Sequence, residues 1–198
     1  MPQPRPARQL VLGSTSRYRR ELLERLGLAF QVSPPRCDES PLPEEAPAAT
    51  ALRLSMLKAK SLEQVYPDAL IIGSDQVASS EGRRLGKPGN HENALRQLRA
   101  LSGKAADFHT AVSLLDSRNG ELQSRVVTCR VLFRALDERR IAAYLEREQP
   151  YDCAASARAE GLGIALIARM ETDDPTSLIG LPLMALTEML EQAGLPVL

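Results

Sequence analysis

Hydrophobic residues follow two different spacings in the first half of the chain. Short unbroken apolar runs are typical of buried strands, whereas apolar positions three and four residues apart are typical of amphipathic helices. Gly27, Pro67 and the pair Ser102-Gly103 supply helix stop signals. Together these patterns predict strands over residues 10–14, 29–33 and 69–74, and helices over residues 17–26, 50–66 and 93–101.

The second half begins with a predicted hairpin. Asn119-Gly120 is a strong turn signal between two apolar segments, 108–115 and 123–133. Every second residue from Val127 to Phe133 is apolar, so one face of the second strand should be buried. Beyond the hairpin, the sequence predicts a helix from the cap Asp137 to residue 148, a strand over 163–167 and a closing helix over 183–192.

This order of elements predicts a fold class. Strands that alternate with helices and then form a hairpin indicate an α/β fold, with a mixed twisted sheet flanked by helices. No internal repeat or low-complexity linker divides the chain, so we expect one domain over residues 1–198, in which the proline-rich residues 1–8 are frayed. Residues 34–47 form an acidic, proline-punctuated loop, a composition that is usually only solvated.

Charge and composition exclude several classes of protein. Lysine plus arginine and aspartate plus glutamate number 25 each, and aromatic residues make up 4% of the chain. A binder of nucleic-acid polymers should be visibly basic and should carry aromatic residues for base stacking. No apolar segment has the length of a signal peptide core or of a membrane span, so we expect a cytoplasmic protein without a membrane partner.

Three cysteines, Cys37, Cys129 and Cys153, have neither the spacing nor the even number of a disulfide framework or a zinc site. We expect each of them to act as a small hydrophobic residue rather than as a nucleophile. His91 and His109 are too far apart for the spacing of metal ligands, and no glycine-rich nucleotide loop of the common types occurs.

The turn after the first strand carries the strongest chemical signal. Ser14 and Ser16 connect an apolar run to a helix that contains Arg19. Free backbone N–H groups at a helix start, together with a nearby guanidinium, suit a phosphate group. Taken alone, Arg19 is more typical of a solvent-exposed helix face. The turn as a whole predicts an anion site.

Further candidates follow the strand over 69–74. Asp75 closes it, and an acid in this position is either a turn cap or a functional group at the edge where open α/β sheets bind ligands. Lys87 lies in a loop, where most lysines are solvated, and at most one of Lys58 and Lys60 can face a cleft. A carboxylate, lysines and a phosphate-binding arginine are what metal-assisted phosphate chemistry requires. We therefore predict a nucleotide hydrolase.

A set of motifs, found in order from about residue 9 to the end of the chain, resembles the Maf-like nucleotide pyrophosphatases. The motifs are Gly13-Ser14-Thr15-Ser16-x-x-Arg19-Arg20, Asp38-Glu39, Lys58-Ala59-Lys60, Gly73-Ser74-Asp75-Gln76-Val77, Gly86-Lys87-Pro88, Leu101-Ser102-Gly103-Lys104, His109-Thr110, Glu160-Gly161 and Gly180-Leu181-Pro182-Leu183. The resemblance implies two lobes around a nucleotide cleft, as in inosine triphosphatases. It also implies hydrolysis of a nucleoside triphosphate between its α and β phosphates, a divalent cation such as Mg²⁺ or Mn²⁺, and a homodimer.

The same resemblance implies roles for individual residues. Asp75 resembles the proton acceptor of the family, and it resembles a metal ligand together with Glu39. The residues that resemble the catalytic and substrate-binding positions are Arg19 and Lys87 for catalysis, and Ser14, Ser16 and Lys58 for the substrate.

Three positions depart from the commonest pattern of the family, and they concern the substrate. Tyr18, Gln76 and Glu160 resemble the subfamily that acts on 7-methyl-GTP. The methylated base is positively charged, so an aromatic face and a carboxylate suit it. Outside the family, Tyr18 would be a packed helix residue and Glu160 a surface acid. The same chemistry on dTTP or UTP, and a nucleotide-binding regulator of cell division, are the alternatives.

Overall fold

The computed structural model describes residues 8–40 and 42–198, which form one mixed sheet with helices packed against it. Its strands are β1 (Gln9–Gly13), β2 (Gln31–Ser33), β3 (Ala69–Ser80), β4 (Arg83–Leu85), β5 (Ala105–Asp116), β6 (Glu121–Phe133) and β7 (Ile167–Glu171). Its α-helices are α1 (Arg17–Glu24), α2 (Pro47–Lys60), α3 (His91–Leu101), α4 (Glu138–Glu148) and α5 (Leu183–Gln192). The predicted α/β class with a mixed sheet is confirmed.

The strand order is β2-β1-β3-β5-β6-β7, with β4 paired to β3 outside this path. β1 runs parallel to both β2 and β3, whereas β3, β5, β6 and β7 pair antiparallel in succession. The turn at Asn119-Gly120 joins β5 to β6 as predicted, and Gly120 takes a positive φ of 74°. The long β5–β6 hairpin therefore forms the middle of the sheet.

One edge of β3 is shared by two short strands that leave a gap between them. β1 pairs with β3 only as far as Gly73, and β4 begins to pair with it at Ala78. The opposite edge of β3 is occupied by β5 without interruption from Leu70 to Ser79. Because no ladder covers residues 74–77 on the first edge, the sheet splits there and leaves a cleft.

Separate hydrophobic cores lie on the two sides of this cleft. The first lobe packs β1, α1 and α5 around Leu12, Leu22 and Leu186, with α2 on the opposite face of the sheet. The second lobe packs α3 and α4 around Phe108 and Phe133 of the hairpin. The two-lobed arrangement that the family resemblance implied is confirmed.

Several predicted element boundaries are wrong. The helix predicted over 50–66 begins at Pro47 and already ends at Lys60. Asp75 does not end a strand, because β3 continues to Ser80 by pairing with β5 and β4. Most of the predicted strand over 163–167 is a 3-10 turn, Leu162–Leu166, and the strand β7 follows it. Only the first residue of β7 is buried, so this edge strand lacks the apolar alternation that would have identified it.

Residues 1–7, for which fraying was predicted, lie outside the described residues. Arg8 is described, and its guanidinium pairs with the carboxylate of Asp116 at the end of β5. Within residues 8–40 and 42–198, no helix combines the length and the apolar character needed to cross a lipid bilayer.

Candidate active site

The cleft beside residues 74–77 contains a cavity of about 640 Å³. All the candidate residues selected from the sequence line it: Ser14, Ser16, Tyr18, Arg19, Glu39, Lys58, Asp75, Gln76, Lys87 and Glu160. They come from α1, α2, β3 and four different connecting segments, so the fold brings together positions that are up to 146 residues apart in sequence. Their chemical roles stay predictions.

The turn between β1 and α1 forms one wall of the cavity. Ser16 caps α1, with its side chain accepting a hydrogen bond from the backbone N–H of Arg19, and the hydroxyl of Ser14 accepts from the N–H of Ser16. The Arg19 side chain turns back over this turn, and its Nη1 donates to the Ser14 hydroxyl. The segment therefore presents a guanidinium and two hydroxyl groups at a helix start, which is an environment that suits a phosphate.

Arg19 is half-buried, and no described residue of opposite charge is in contact with it. Its Nε donates to the carbonyl oxygen of Gly180 at 2.8 Å, and among the described residues no carboxylate lies within ion-pair distance of it. Burial lowers the pKa of Arg19, and the more distant negative charges of Asp75 and Glu39 oppose that effect. A half-buried guanidinium without an ion-pair partner is available to an anionic ligand.

Lys58 lies between two carboxylates. Its Nζ is 2.6 Å from Oδ1 of Asp75 and 2.7 Å from Oε2 of Glu39. The side chains of Lys58 and Asp75 are only 7% and 12% exposed, whereas that of Glu39 is 52% exposed. Lys58 thus faces the cavity from α2, while Lys60 points to solvent. This agrees with the expectation that at most one of the two lysines faces a cleft.

This arrangement requires close contact between α2 and β3. A Cβ atom at Gly73 would lie 2.0 Å from the carbonyl oxygen of Ser55 and 2.7 Å from the backbone nitrogen of Ala59. Only glycine allows the helix backbone to approach the strand this closely. The approach brings Lys58 level with Asp75, two residues further along β3.

Neighbouring residues of β3 point to opposite faces of the sheet. Asp75 faces α2, whereas Gln76 and Ser74 face the segment that precedes α5. Gln76 Nε2 donates to the carbonyl oxygens of Ser177 and Leu178, both at 3.0 Å, and the Ser74 hydroxyl donates to that of Gly180. β3 therefore supplies a carboxylate to the cavity on one side and fixes part of the cavity wall on the other.

Two further cations lie at the rim of the cavity. Lys87 is exposed in the loop that follows β4, and Arg84 extends from β4 itself. Arg84 donates to the hydroxyl of Thr50 at 2.8 Å and to the carbonyl oxygen of Glu45. Arg84 was not selected from the sequence, because β4 is a largely exposed strand of three residues without an apolar pattern.

The end of the cavity around Tyr18 is aromatic and carries charges of both signs. Arg17 Nη2 donates to the hydroxyl of Tyr18 at 2.6 Å, and both carboxylate oxygens of Asp152 lie 3.4 Å from the same hydroxyl. Burial raises the pKa of Tyr18 to about 12, so the phenol is neutral at physiological pH. Glu160 lines the same region. Asp152 was not selected from the sequence, since an isolated acid in an irregular segment carries no pattern.

Cys153 also borders Tyr18, with its thiol 3.6 Å from the tyrosine hydroxyl. The three cysteines are free, and burial raises the pKa of the Cys129 and Cys153 thiols to about 11. Burial raises the pKa of Cys37 as well. The thiols are therefore protonated at neutral pH, which supports the expectation that none is a nucleophile.

The donor set fits a divalent cation that also binds phosphate. Mg²⁺ usually takes one or two protein carboxylates and completes its coordination with substrate phosphates and water. Glu39 and Asp75 supply two carboxylates, which share Lys58 as a partner. In the part of the chain that the structure describes, no cluster of three or more His, Cys, Asp or Glu side chains could hold a metal ion. A cation at this position would therefore need oxygen atoms of the substrate.

Comparisons with known proteins give a consistent result. A family model described as Maf-like protein matches residues 9–193. The protein named 7-methyl-GTP pyrophosphatase in Cupriavidus pinatubonensis is 57% identical over 191 residues, which cover 96% of each chain. Its namesake in Thiobacillus denitrificans is 60% identical over 189 residues, covering 96% of this chain and 94% of the relative. A solved structure of a HAM1 protein from Coxiella burnetii has a TM-score of 0.43 and 15% identity, and the match covers 81% of this chain and 98% of the other.

Proposed function

Because this chain belongs to the Maf-like protein family, we propose that it hydrolyses 7-methyl-GTP to 7-methyl-GMP and pyrophosphate. The observation that carries this proposal is the polarity of the cavity: cationic side chains surround Asp75 at one end, and an aromatic ring lies beside carboxylates at the other. The names of the relatives support the same substrate.

The cationic end suits the triphosphate. Arg19 and Lys87 place a guanidinium and an ammonium on the cavity surface, and Ser14 and Ser16 add hydroxyl groups at the start of α1. Charge-assisted hydrogen bonds from such groups are strong and also orient the phosphates. Arg19 is held by Gly180 before any ligand binds, so little side-chain freedom is lost on binding.

Asp75 is the candidate for the proton acceptor. Its Oδ1 is held by Lys58, and Asp75 lines the cavity, so its second carboxylate oxygen is the one proposed to accept a proton from a water molecule. As the proton moves to Asp75, the water oxygen forms a bond to phosphorus and the anhydride P–O bond breaks, releasing pyrophosphate. A divalent cation held by Glu39 and phosphate oxygens would neutralise charge on the phosphates.

The other end of the cavity suits a cationic base. Methylation of guanine at N7 places a positive charge on the ring, which is attracted to an aromatic face and to carboxylates. Tyr18 supplies the face, and Glu160 and Asp152 supply the carboxylates. Gln76 stays a specificity position in this proposal, and its amide nitrogen donates to the carbonyl oxygens of Ser177 and Leu178, so it acts by shaping the cavity wall.

The test is pyrophosphate release in the presence of Mg²⁺ or Mn²⁺ from 7-methyl-GTP, GTP, dTTP, UTP and CTP under identical conditions. We expect the highest kcat/KM with 7-methyl-GTP. A preference for dTTP or UTP would retain the chemistry and refute the substrate. Tight binding of nucleotides without any release would favour the alternative, a nucleotide-binding regulator. A homodimer and a cytoplasmic location stay predictions.

Two neighbouring arginines provide a matched pair for the phosphate end. Arg19→Met is expected to raise KM for the nucleotide by about 10- to 100-fold, because it removes a charged donor from the cavity. Arg20→Met changes an exposed residue of the same helix that pairs with Glu24, and we expect less than about a twofold effect. The Gly180 carbonyl keeps Ser74 as a donor when Arg19 is replaced, so the fold should persist. Equal KM values for the two variants would contradict the assignment of Arg19.

A further inference from the structure

Arg158 connects the two side chains that the proposed base recognition depends on. Of residues 157–160, Ala157 and Glu160 line the cavity, while Arg158 lies outside its lining. The guanidinium carbon of Arg158 is 5.5 Å from the centre of the Tyr18 ring, and its Nε is 3.4 Å from Oε1 of Glu160. Tyr18 comes from the first lobe and Glu160 from the second, so Arg158 links the two lobes at this end of the cleft.

A buried carboxylate fixes the position of Arg158. Glu148, whose side chain is 8% exposed, accepts from Nη1 of Arg158 at 2.8 Å and from the backbone N–H of Leu162 at 2.7 Å. The backbone N–H of Arg158 in turn donates to the hydroxyl of Tyr144. The guanidinium is therefore held from α4 on the side away from the cavity, in a network with charged groups on both partners.

The glycine that follows Glu160 belongs to the same network. A Cβ atom at Gly161 would lie 2.6 Å and 2.8 Å from the two carboxylate oxygens of Glu148. The backbone of the segment thus passes directly over the Glu148 carboxylate, and a side chain there would push the carboxylate away from Arg158. The contact with Glu148 therefore explains why a glycine follows Glu160.

From these contacts we propose that Arg158 is a positioning residue for base specificity: held by Glu148, it fixes the Tyr18 ring and the Glu160 carboxylate at the spacing that a cationic purine requires. The inference rests on the proposed function and extends it to a residue that does not touch the substrate. Arg158 binds Glu148 at the shorter distance and Glu160 at the longer one, so the charge of Glu160 is only partly engaged and remains available to a cationic ring.

The charge balance agrees with this role. Tyr18 contacts Asp152, Arg17 and Arg158, and Arg158 in turn pairs with Glu148 and Glu160, so this connected network holds three carboxylates and two guanidinium groups. One carboxylate is therefore in excess, which favours a ligand group of positive charge. Without Arg158, the carboxylates of Glu148 and Glu160 would lose the cation that they share and would repel each other. The Tyr18 ring would also lose the guanidinium that lies beside it.

The deciding measurement is the specificity ratio, meaning kcat/KM for 7-methyl-GTP divided by kcat/KM for GTP. Arg158→Met keeps an unbranched apolar side chain in place of the arginine stem and removes the charged guanidinium, and we expect it to lower the ratio by about tenfold, mainly through KM for 7-methyl-GTP. kcat/KM for GTP should change by less than about threefold, since both substrates carry the same triphosphate. Arg169→Met, in the exposed strand β7, is the matched control and should leave the ratio unchanged.

A double-mutant cycle with Glu160→Gln separates positioning from general damage to the fold. Glu160→Gln alone should lower the ratio, and adding Arg158→Met to it should lower the ratio little further, because both act on one interaction. Arg158→Lys, which keeps the charge without the planar fork, should give an intermediate ratio and serves as the test if the methionine variant does not fold.

The outcomes distinguish this inference from the function on which it rests. Independent, multiplicative losses in the cycle, an equal loss for both substrates, or an unchanged ratio in a folded Arg158→Met protein would overturn the role of Arg158 alone. A rise in the ratio would overturn it too, since Arg158 would then compete with the base. No preference for 7-methyl-GTP in the unaltered protein would overturn the proposed substrate and this inference together.

Discussion

Asp75→Asn is expected to lower pyrophosphate release from 7-methyl-GTP by about 10²- to 10⁴-fold, the range that loss of a general base produces. The amide has nearly the same shape as the carboxylate but does not accept the proton of the attacking water. It also weakens one of the two carboxylates available to a divalent cation. The measurement is kcat with saturating nucleotide and Mg²⁺, so that weaker binding is not mistaken for slower chemistry.

The fold should survive this substitution. Removing one partner of a buried ion pair leaves an uncompensated charge in many proteins, at a cost of about 3–5 kcal/mol. Here Lys58 keeps Glu39 at 2.7 Å, so we expect a smaller loss. Asp107→Asn, which changes a carboxylate on β5 that pairs with Arg130, is the control for aspartate replacement in the same sheet. Turnover of Asp75→Asn within threefold of the unaltered protein would refute the role of Asp75.

The largest effect on stability is expected from Gly73→Ala. The added Cβ would meet backbone atoms of α2 at Ser55 and Ala59, and neither atom can move unless the helix shifts. Overpacking usually lowers the free energy of unfolding by about 1–3 kcal/mol and occasionally by more. Because both clashing atoms belong to the backbone, we expect a loss at the upper end of this range. For a chain of this length we expect the melting temperature to fall by about 6–12 °C. A shift of α2 would also separate Lys58 from Asp75 and reduce turnover.

Gly86→Ala is the matched control for this experiment. Nothing lies within 4 Å of a Cβ atom at Gly86, and we expect a change in unfolding free energy within about 0.5 kcal/mol. Thermal unfolding followed by circular dichroism compares the two variants directly. Equal melting temperatures would show that α2 tolerates displacement from β3, contrary to the tight contact that the structure shows.

The residues of the proposed anion site could be grouped from the sequence because they are neighbours in it. A strand, two serines, a helix start and Arg19 follow one another within a few residues, and local hydrogen-bonding rules are sufficient to interpret them. The position of Asp75 was not predictable to the same degree. Its carboxylate was a candidate from the sequence, but β3 extends beyond it only because β4 and β5 pair with its second half.

The residues that were missed depend on contacts across long stretches of sequence. Arg158 and Asp152 lie in an irregular segment without apolar periodicity, more than 130 residues from Tyr18. Their importance becomes visible only when α1 and this segment meet at the cleft. Gln76 was selected as a specificity position without a stated contact, and its hydrogen bonds to Ser177 and Leu178 depend on a segment about 100 residues further along the chain.

The split in the sheet also determines how the cleft can change its width. β3 and β5 run without a break past the gap at residues 74–77, so the floor of the cleft is a continuous hydrogen-bonded ribbon rather than a loop. A movement of the two lobes towards each other would therefore have to bend these hydrogen-bonded strands. The strands do not offer a free hinge about which the lobes could rotate. The elastic restoring force of the ribbon would favour reopening once the substrate has been cleaved, and would thus link the stiffness of the sheet to the rate of product release.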